Sequence, residues 1–135
     1  MARLVGMSTD EVQASRLEIA RNFAVAHHLY VVLKGHRTLV ATPDGKVFIN
    51  TTGNAGMATG GTGDVLTGMI AAWLGQLLDA EAACKVAVYL HGMAGDLADA
   101  DEGDVSLIAS DLVAHLGDAV QELTARRRVV NQTQA

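Results

Sequence analysis

The chain has 135 residues, half of them hydrophobic, and a formal net charge of −5. That apolar content excludes a disordered chain, the length bounds the fold to one core, and the acidic balance argues against a nucleic-acid surface. Cys84 is the sole cysteine and cannot form an intrachain disulfide; no apolar run reaches the ~18 residues that span a bilayer, and Met1-Ala2-Arg3-Leu4 lacks a signal-peptide core. A soluble cytoplasmic protein without a membrane partner is expected.

In chain order, Ser8-Thr9-Asp10-Glu11 reads as a capping box that opens a helix to about His27, with Val12, Leu17, Ile19, Ala20, Phe23 and Ala24 on its apolar face. His27 and His28 then end it, where imidazole suits the helix dipole. Leu29 to Leu33 is a continuous apolar run, as expected for a strand buried on both faces of a mostly parallel sheet. Thr38–Ala41 and Lys46–Asn50 flank the turn sequence Thr42-Pro43-Asp44-Gly45 and predict a β-hairpin that places Lys34 and Asn50 near one end of the sheet.

From residue 62 onward the pattern is helical. Val65, Leu66, Met69, Ile70, Ala72, Trp73, Leu74 and Leu77 surround most of a first helix, predicting burial on most sides; Gln76–Ala80 makes a turn, and 81–95 forms a second helix rich in small residues. An acidic break at Asp101-Glu102-Gly103-Asp104 precedes a third helix from Ser106 to about Arg126, with Leu107, Ile108, Leu112, Val113, Leu116, Val120 and Leu123 on one side. The fold class is α/β, few strands followed by a helical segment, with one domain over 1–125 and a polar tail at 126–135 whose Arg126-Arg127-Arg128 reads as a solvated helix end. Two or three strands are too few for a doubly wound sheet, so an open sheet edge and homo-oligomerisation, aggregation or a need for a further half are expected.

The chemistry concentrates in residues 53–68, which hold six of the 14 glycines and run into an apolar helix. Without Cβ atoms such a backbone can bring several N–H groups to a phosphate, and the helix adds its positive end. Thr59, Gly60, Gly61, Thr62 and Gly63 would hold a transferred phosphoryl group, while Asp64, a carboxylate beside an anion, reads as a general base accepting the proton of an attacking hydroxyl. No Gly-Lys-Ser/Thr follows, so this is not a Walker loop. Lys34 leaves a strand at its carboxyl end, where open α/β sheets bind ligands.

The wording Asn54-x-Gly56-Met57-Ala58-Thr59-Gly60-Gly61-Thr62-Gly63-Asp64-Val65-Leu66-x-Gly68, with Lys34-Gly35-His36-Arg37-Thr38, Pro43-Asp44-Gly45, Ile49-Asn50 and His91-Gly92, resembles the C-terminal half of the NAD(P)H-hydrate dehydratases, metabolite-repair enzymes of the ribokinase-like superfamily. Ala55 departs from the family's usual proline, and family members are about twice as long. The resemblance implies the C-terminal portion of a three-layer α/β/α domain, use of ADP or ATP with Mg2+ carried by the nucleotide, and hydrated NADH or NADPH as substrate. It implies that Lys34, Gly35, His36, Arg37 and Thr38 contact the nucleotide with Gly63, and that Asp64 faces the hydrated dinucleotide. Asn54 is assigned to the substrate side. A sugar or vitamin kinase of the same superfamily and an inactive nucleotide-binding module stay open beside this reading.

Weaker candidates are assigned to structure. His91 reads as a packing residue; Asp96, Asp99, Asp101, Glu102 and Asp104 lack the spacing of a calcium loop and read as a solvated helix end; Trp73 and the methionines at 57, 69 and 93 read as core. Asn50 and Asn54 bracket the glycine loop and are expected to fix it through bonds to backbone.

Overall fold

The computed structural model describes residues 1–76 and 79–133, the side chains of 126–133 excepted. A short helix α1 (Ala2–Val5) leads to α2 (Thr9–Ala14), opened by the expected capping box: the Glu11 N–H donates to Ser8 Oγ at 3.2 Å and the Ser8 N–H to Glu11 Oε2 at 2.7 Å. The single helix expected to His27 is broken at Ser15, and α3 (Arg16–His27) follows. Ala20 and Ala24 form its buried stripe, and their small side chains let α3 lie close on the sheet; Leu17, placed on that face from the sequence, is exposed.

Three strands follow, β1 (Val31–Leu33), β2 (Leu39–Ala41) and β3 (Val47–Ile49), in the order β1-β2-β3 with both pairings antiparallel. The hairpin is as expected, in register Leu39↔Ile49 and closed by Gly45 at φ 84°. The parallel, doubly buried strand is not: Leu29 and Tyr30 are exposed, β1 is half-buried and bonded along one edge only among the described residues, and the strand buried throughout is the central β2. A middle strand carries α3 on one face through Leu39 and Ala41 and the helical layer on the other through Val40, which sits with Leu66, Cys84, Ala87 and Val88. The result is an α/β/α sandwich in miniature.

The 3-10 turn Ala55–Met57 and the glycine loop lead to α4 (Thr62–Gly75). Only Thr62 and Leu66 of this helix are buried, so the expectation of burial on most sides fails: its apolar residues surround the axis, but α5 and the sheet cover one side. Of the turn expected at Gln76–Ala80, residues 77 and 78 lie outside the described residues; Asp79 caps α5 (Ala80–Glu102) through the Ala82 N–H at 2.9 Å. This helix is the core of the molecule, buried on Ala83, Cys84, Ala87, Val88 and continuously from Leu90 to Gly95. It runs past residue 95 to the expected break, stopping at Gly103 with φ 80°. The expected third helix divides at His115 into α6 (Ala109–Ala114) and α7 (Leu116–Thr133). Leu107, Leu112 and Ala119 are buried, whereas Ile108, Val113 and Val120 are exposed; the kink turns the single face expected from the sequence into two. The Arg126-Arg127-Arg128 side chains lie outside the described residues. Among the described residues no helix is long and apolar enough to cross a membrane.

Candidate functional site

Two glycines of α5 let the chain after β3 lie directly on the helix. A Cβ at Gly92 would fall 2.2 Å from Thr52 Oγ1, and one at Gly95 2.3 Å from Met57 Sδ. Hydrogen bonds lace the segment down. Thr52 Oγ1 donates to Tyr89 O at 2.8 Å, Asn50 Nδ2 to Thr52 O at 2.9 Å, and Asn54 Nδ2 to Gly95 O at 2.8 Å. Both asparagines thus bond backbone as expected. Asp96, read from the sequence as part of a solvated helix end, is exposed as expected, and its carboxylate also accepts from the Gly53 N–H at 2.9 Å and from Asn54 Nδ2 at 3.2 Å, pinning the start of the glycine loop.

The loop ends on Gly61, at φ 89°, which caps α4. Its carbonyl takes the N–H groups of Asp64 and Val65, while Thr62 and Gly63, the first two helical residues, have no intrahelical acceptor for theirs. Thr62 is buried, and its hydroxyl lies 3.0 Å from Met57 O and 3.1 Å from Thr59 O, closing the loop on itself. Lys34 reaches the same hydroxyl from the end of β1, with Nζ at 3.4 Å, and a Cβ on Gly63 would sit 3.2 Å from that ammonium. Strap and loop, 28 residues apart in sequence, therefore converge on the positive end of α4.

A pocket of about 530 Å3 opens between them, lined by Lys34, Gly35, His36, Arg37 and Thr38 on one side, by Asn50–Ala55, Met57, Ala58, Thr59 and Thr62 on the other except Thr51, and floored by Leu66, Val88, His91 and Gly92. Of the residues singled out from sequence, the whole 34–38 strap, Asn54, Thr59 and Thr62 line it; Gly60, Gly61, Gly63 and Asp64 stand outside its wall, with Asp64 exposed in the first turn of α4. His91 packs, as expected, but it also lines the pocket: its Nε2 is 2.8 Å from the Thr62 carbonyl, so that nitrogen carries the proton. Burial pushes the His91 pKa down, the Thr62 carbonyl opposes that, and nearby Lys34 adds to the lowering. The imidazole is neutral at pH 7.

Arg16 gave no signal in the sequence. Its Nη1 donates to His36 O at 2.7 Å and its Nη2 to Leu33 O at 3.0 Å and Lys34 O at 3.2 Å, holding the strap from behind. Among the described residues no group of three or more His, Cys, Asp or Glu side chains is placed to hold a metal.

The strap faces a glycine-rich helix start on a small sheet covered by helices, in an α/β domain, and residues 1–117 match the family model described as NAD(P)H-hydrate dehydratase. The chain belongs to that family. The bifunctional NAD(P)H-hydrate repair enzyme of Thermofilum pendens is 47% identical over 123 residues, which are 91% of this chain and 24% of that protein. The ADP-dependent (S)-NAD(P)H-hydrate dehydratase of Neisseria meningitidis is 46% identical over 114 residues, 84% and 37% of the two chains. Among solved structures, the ADP/ATP-dependent NAD(P)H-hydrate dehydratase from Bacillus subtilis, co-crystallised with ATP and Mg2+, superposes with a TM-score of 0.81 at 40% identity, covering 90% of this chain and 44% of that one. A ribokinase-like superfamily protein from Enterococcus faecalis gives 0.62 at 37% identity, covering 75% and 35%. The fold is accordingly part of a ribokinase-like domain, and the chain spans less than half the length of each of these relatives.

Proposed function

We propose that this chain supplies the nucleotide strap, the anion loop and the base of an ADP- or ATP-dependent dehydratase that returns hydrated NADH or NADPH to the reduced cofactor. The observation that carries this reading is the meeting of Lys34 with Thr62 at the start of α4, 3.4 Å apart beside the pocket. A cation and free first-turn amides suit the terminal phosphoryl of a nucleotide, whose charge is spread over three oxygens. Lys34 to Thr38 hold the nucleotide, Thr59 to Gly63 hold its phosphate, and Mg2+ arrives bound to the phosphates.

Asp64 takes the proton of the ring hydroxyl as that oxygen attacks the terminal phosphorus. The ring-nitrogen lone pair then expels the resulting phosphate ester, and loss of a proton from the neighbouring ring carbon restores the dihydronicotinamide. Net, hydrate and nucleotide become NAD(P)H, the nucleotide shortened by one phosphate, and inorganic phosphate. Asp64 stands outside the wall of the pocket described above, so the substrate ring lies at the rim, over the helix start, with Asn54 on its side. A pocket for a dinucleotide takes walls from both sides of the sheet's switch point, and the exposed flank of α4 and the open edge of β1 show one side here.

The test is a chimera in which residues 1–125 replace the matching segment of the Bacillus subtilis enzyme. We expect nucleotide-dependent reappearance of NADH absorbance from the hydrate and its loss in the Asp64→Asn version; the 135-residue chain alone binds ADP without turnover. A folded chimera that binds ADP but never dehydrates, or that accumulates a phosphorylated sugar or vitamin alcohol, overturns the dehydratase reading.

A further inference from the structure

Arg16 is the first residue of α3, where a cation opposes the helix dipole and where Ser15 offers no side-chain cap. Its own helix does not account for it. What faces it are three carbonyls of one strap, those of Leu33, Lys34 and His36, gathered on two guanidinium nitrogens at 2.7 to 3.2 Å. Consecutive carbonyls of an extended chain point to opposite sides, so gathering Leu33 O and Lys34 O on one donor requires the chain to leave the extended conformation at Lys34, where β1 has ended, and Gly35 at φ 143° then turns it between Lys34 O and His36 O. The fit is close. A Cβ on Gly35 would lie 2.9 Å from Arg16 Nη2 and 3.1 Å from Cζ.

The consequence falls on the other side of each peptide. Every peptide bond here is trans, so where a carbonyl points at Arg16 the following N–H points away from it. Those N–H groups belong to Lys34, Gly35 and Arg37, all of which line the pocket. We propose that Arg16 is a positioning residue: by holding the carbonyls of the 34–38 strap it turns the strap's amides toward a bound nucleotide, which Arg16 itself does not touch. The inference rests on the nucleotide reading of the same pocket and adds to it the residue that shapes the strap. A guanidinium suits this task because its planar fork fixes several acceptors at once, whereas an ammonium supplies the same charge without the plane. Thr38 Oγ1, which donates to Gly35 O at 3.2 Å, closes the strap from its far end.

The experiment measures ADP binding by calorimetry to the full 135-residue chain and to Arg16→Ala, Arg16→Lys and Gly35→Ala, with circular dichroism for the fold and amide NMR shifts of Gly35 and Arg37 on adding ADP. Arg16→Ala should weaken ADP about ten-fold or more, the scale of lost charge-assisted bonds, and Arg16→Lys should recover only part of that loss. Ethylguanidinium added to Arg16→Ala should restore binding and leave the parent unchanged. Full recovery by Arg16→Lys, or parental affinity in Arg16→Ala, overturns the proposal. If Arg16→Ala fails to fold, Gly35→Ala decides: its Cβ displaces the fork, and unchanged ADP affinity there overturns the proposal equally. A parent chain that binds no ADP sinks the nucleotide reading itself, a result distinct from a parent that binds and variants that match it.

Discussion

The His91 imidazole and the Thr62 carbonyl, 2.8 Å apart, tie the middle of the core helix α5 to the first residue of the helix that carries Asp64. The bond joins two residues that line the pocket, so the end of the glycine loop is anchored to the most buried element of the fold. Lys34 approaches the same threonine from the sheet side.

Removing that bond should loosen the loop and cost stability together. His91→Leu removes one of the two donors to the Thr62 carbonyl, which keeps the Leu66 N–H of its own helix, and a loss of about 0.5–1.5 kcal/mol is expected. His91→Gln, which can return an N–H, should recover part of it. Urea denaturation at pH 7 checks both, and equal midpoints for parent and His91→Leu would remove the bond from the stability of the fold.

Two histidines should tilt the pH profile in opposite directions. Burial holds the His91 pKa below its ordinary 6.5, so the folded chain binds fewer protons than the unfolded one there; stability is full above about pH 6.5 and falls as pH drops through that value toward the folded pKa. His115 is the reverse. Its Nε2 is 3.0 Å from Asp101 Oδ2 and its Nδ1 2.9 Å from Asp111 O, so both nitrogens face acceptors, and the Asp101 carboxylate first, then the Asp111 carbonyl, raise its pKa. The clip between the end of α5 and the junction of α6 with α7 is full below pH 6.5 and is lost as pH rises through the raised folded value. Melting temperature against pH should show the acid-side slope flattened in His91→Gln and the alkaline-side slope flattened in His115→Gln. Unchanged slopes in either variant would contradict the assigned direction.

What the sequence made legible was local. The Ser8/Glu11 box, the turn at 42–45, the acidic break at 101–104 and the glycine loop before α4 are each written in a few adjacent residues, and each stands where expected. The breaks at Ser15 and His115 carry neither proline nor glycine, so periodicity runs through them unmarked. Asp96 looked like one more carboxylate in an acidic run, because its partners, Gly53 and Asn54, lie more than 40 residues away. Arg16 was hidden for the same reason. The one-sidedness of α4 depends on what packs against it, which a helix apolar all round does not reveal.

The close approach of loop and helix at Gly92 gives a sharp packing test. Gly92→Ala puts a Cβ 2.2 Å from Thr52 Oγ1 and 2.6 Å from its carbonyl carbon, backbone that cannot swing aside. The 50–57 segment must lift, breaking the Thr52–Tyr89 bond, and a destabilisation of about 1–3 kcal/mol is expected from overpacking. Gly60→Ala, where no atom lies within 4 Å and φ is ordinary, is the control and should melt like the parent. Equal melting of the two variants would show that the segment is not clamped.

Lys34 and Asp64 should separate binding from chemistry. Lys34 sits in the pocket wall against Thr62; under the proposed function its charge meets a nucleotide phosphate directly, so Lys34→Ala should weaken ADP or ATP binding by about 1–3 kcal/mol in calorimetry. Thr38→Ala should be milder, since that hydroxyl is engaged with Gly35 O. Asp64 lies outside the pocket wall and is exposed, and a base contributes where the proton moves rather than where the nucleotide docks. In the chimera with the Bacillus subtilis enzyme, Asp64→Asn should therefore lower kcat by about 10²-fold or more and leave nucleotide affinity within a few-fold. The amide keeps the side chain's shape and loses only its capacity to accept the proton, so the two variants should fall on different axes of a kcat against Kd plot. Near-normal dehydration by Asp64→Asn would assign the proton to another group, and unchanged affinity in Lys34→Ala would return that lysine to an ordinary strand exit.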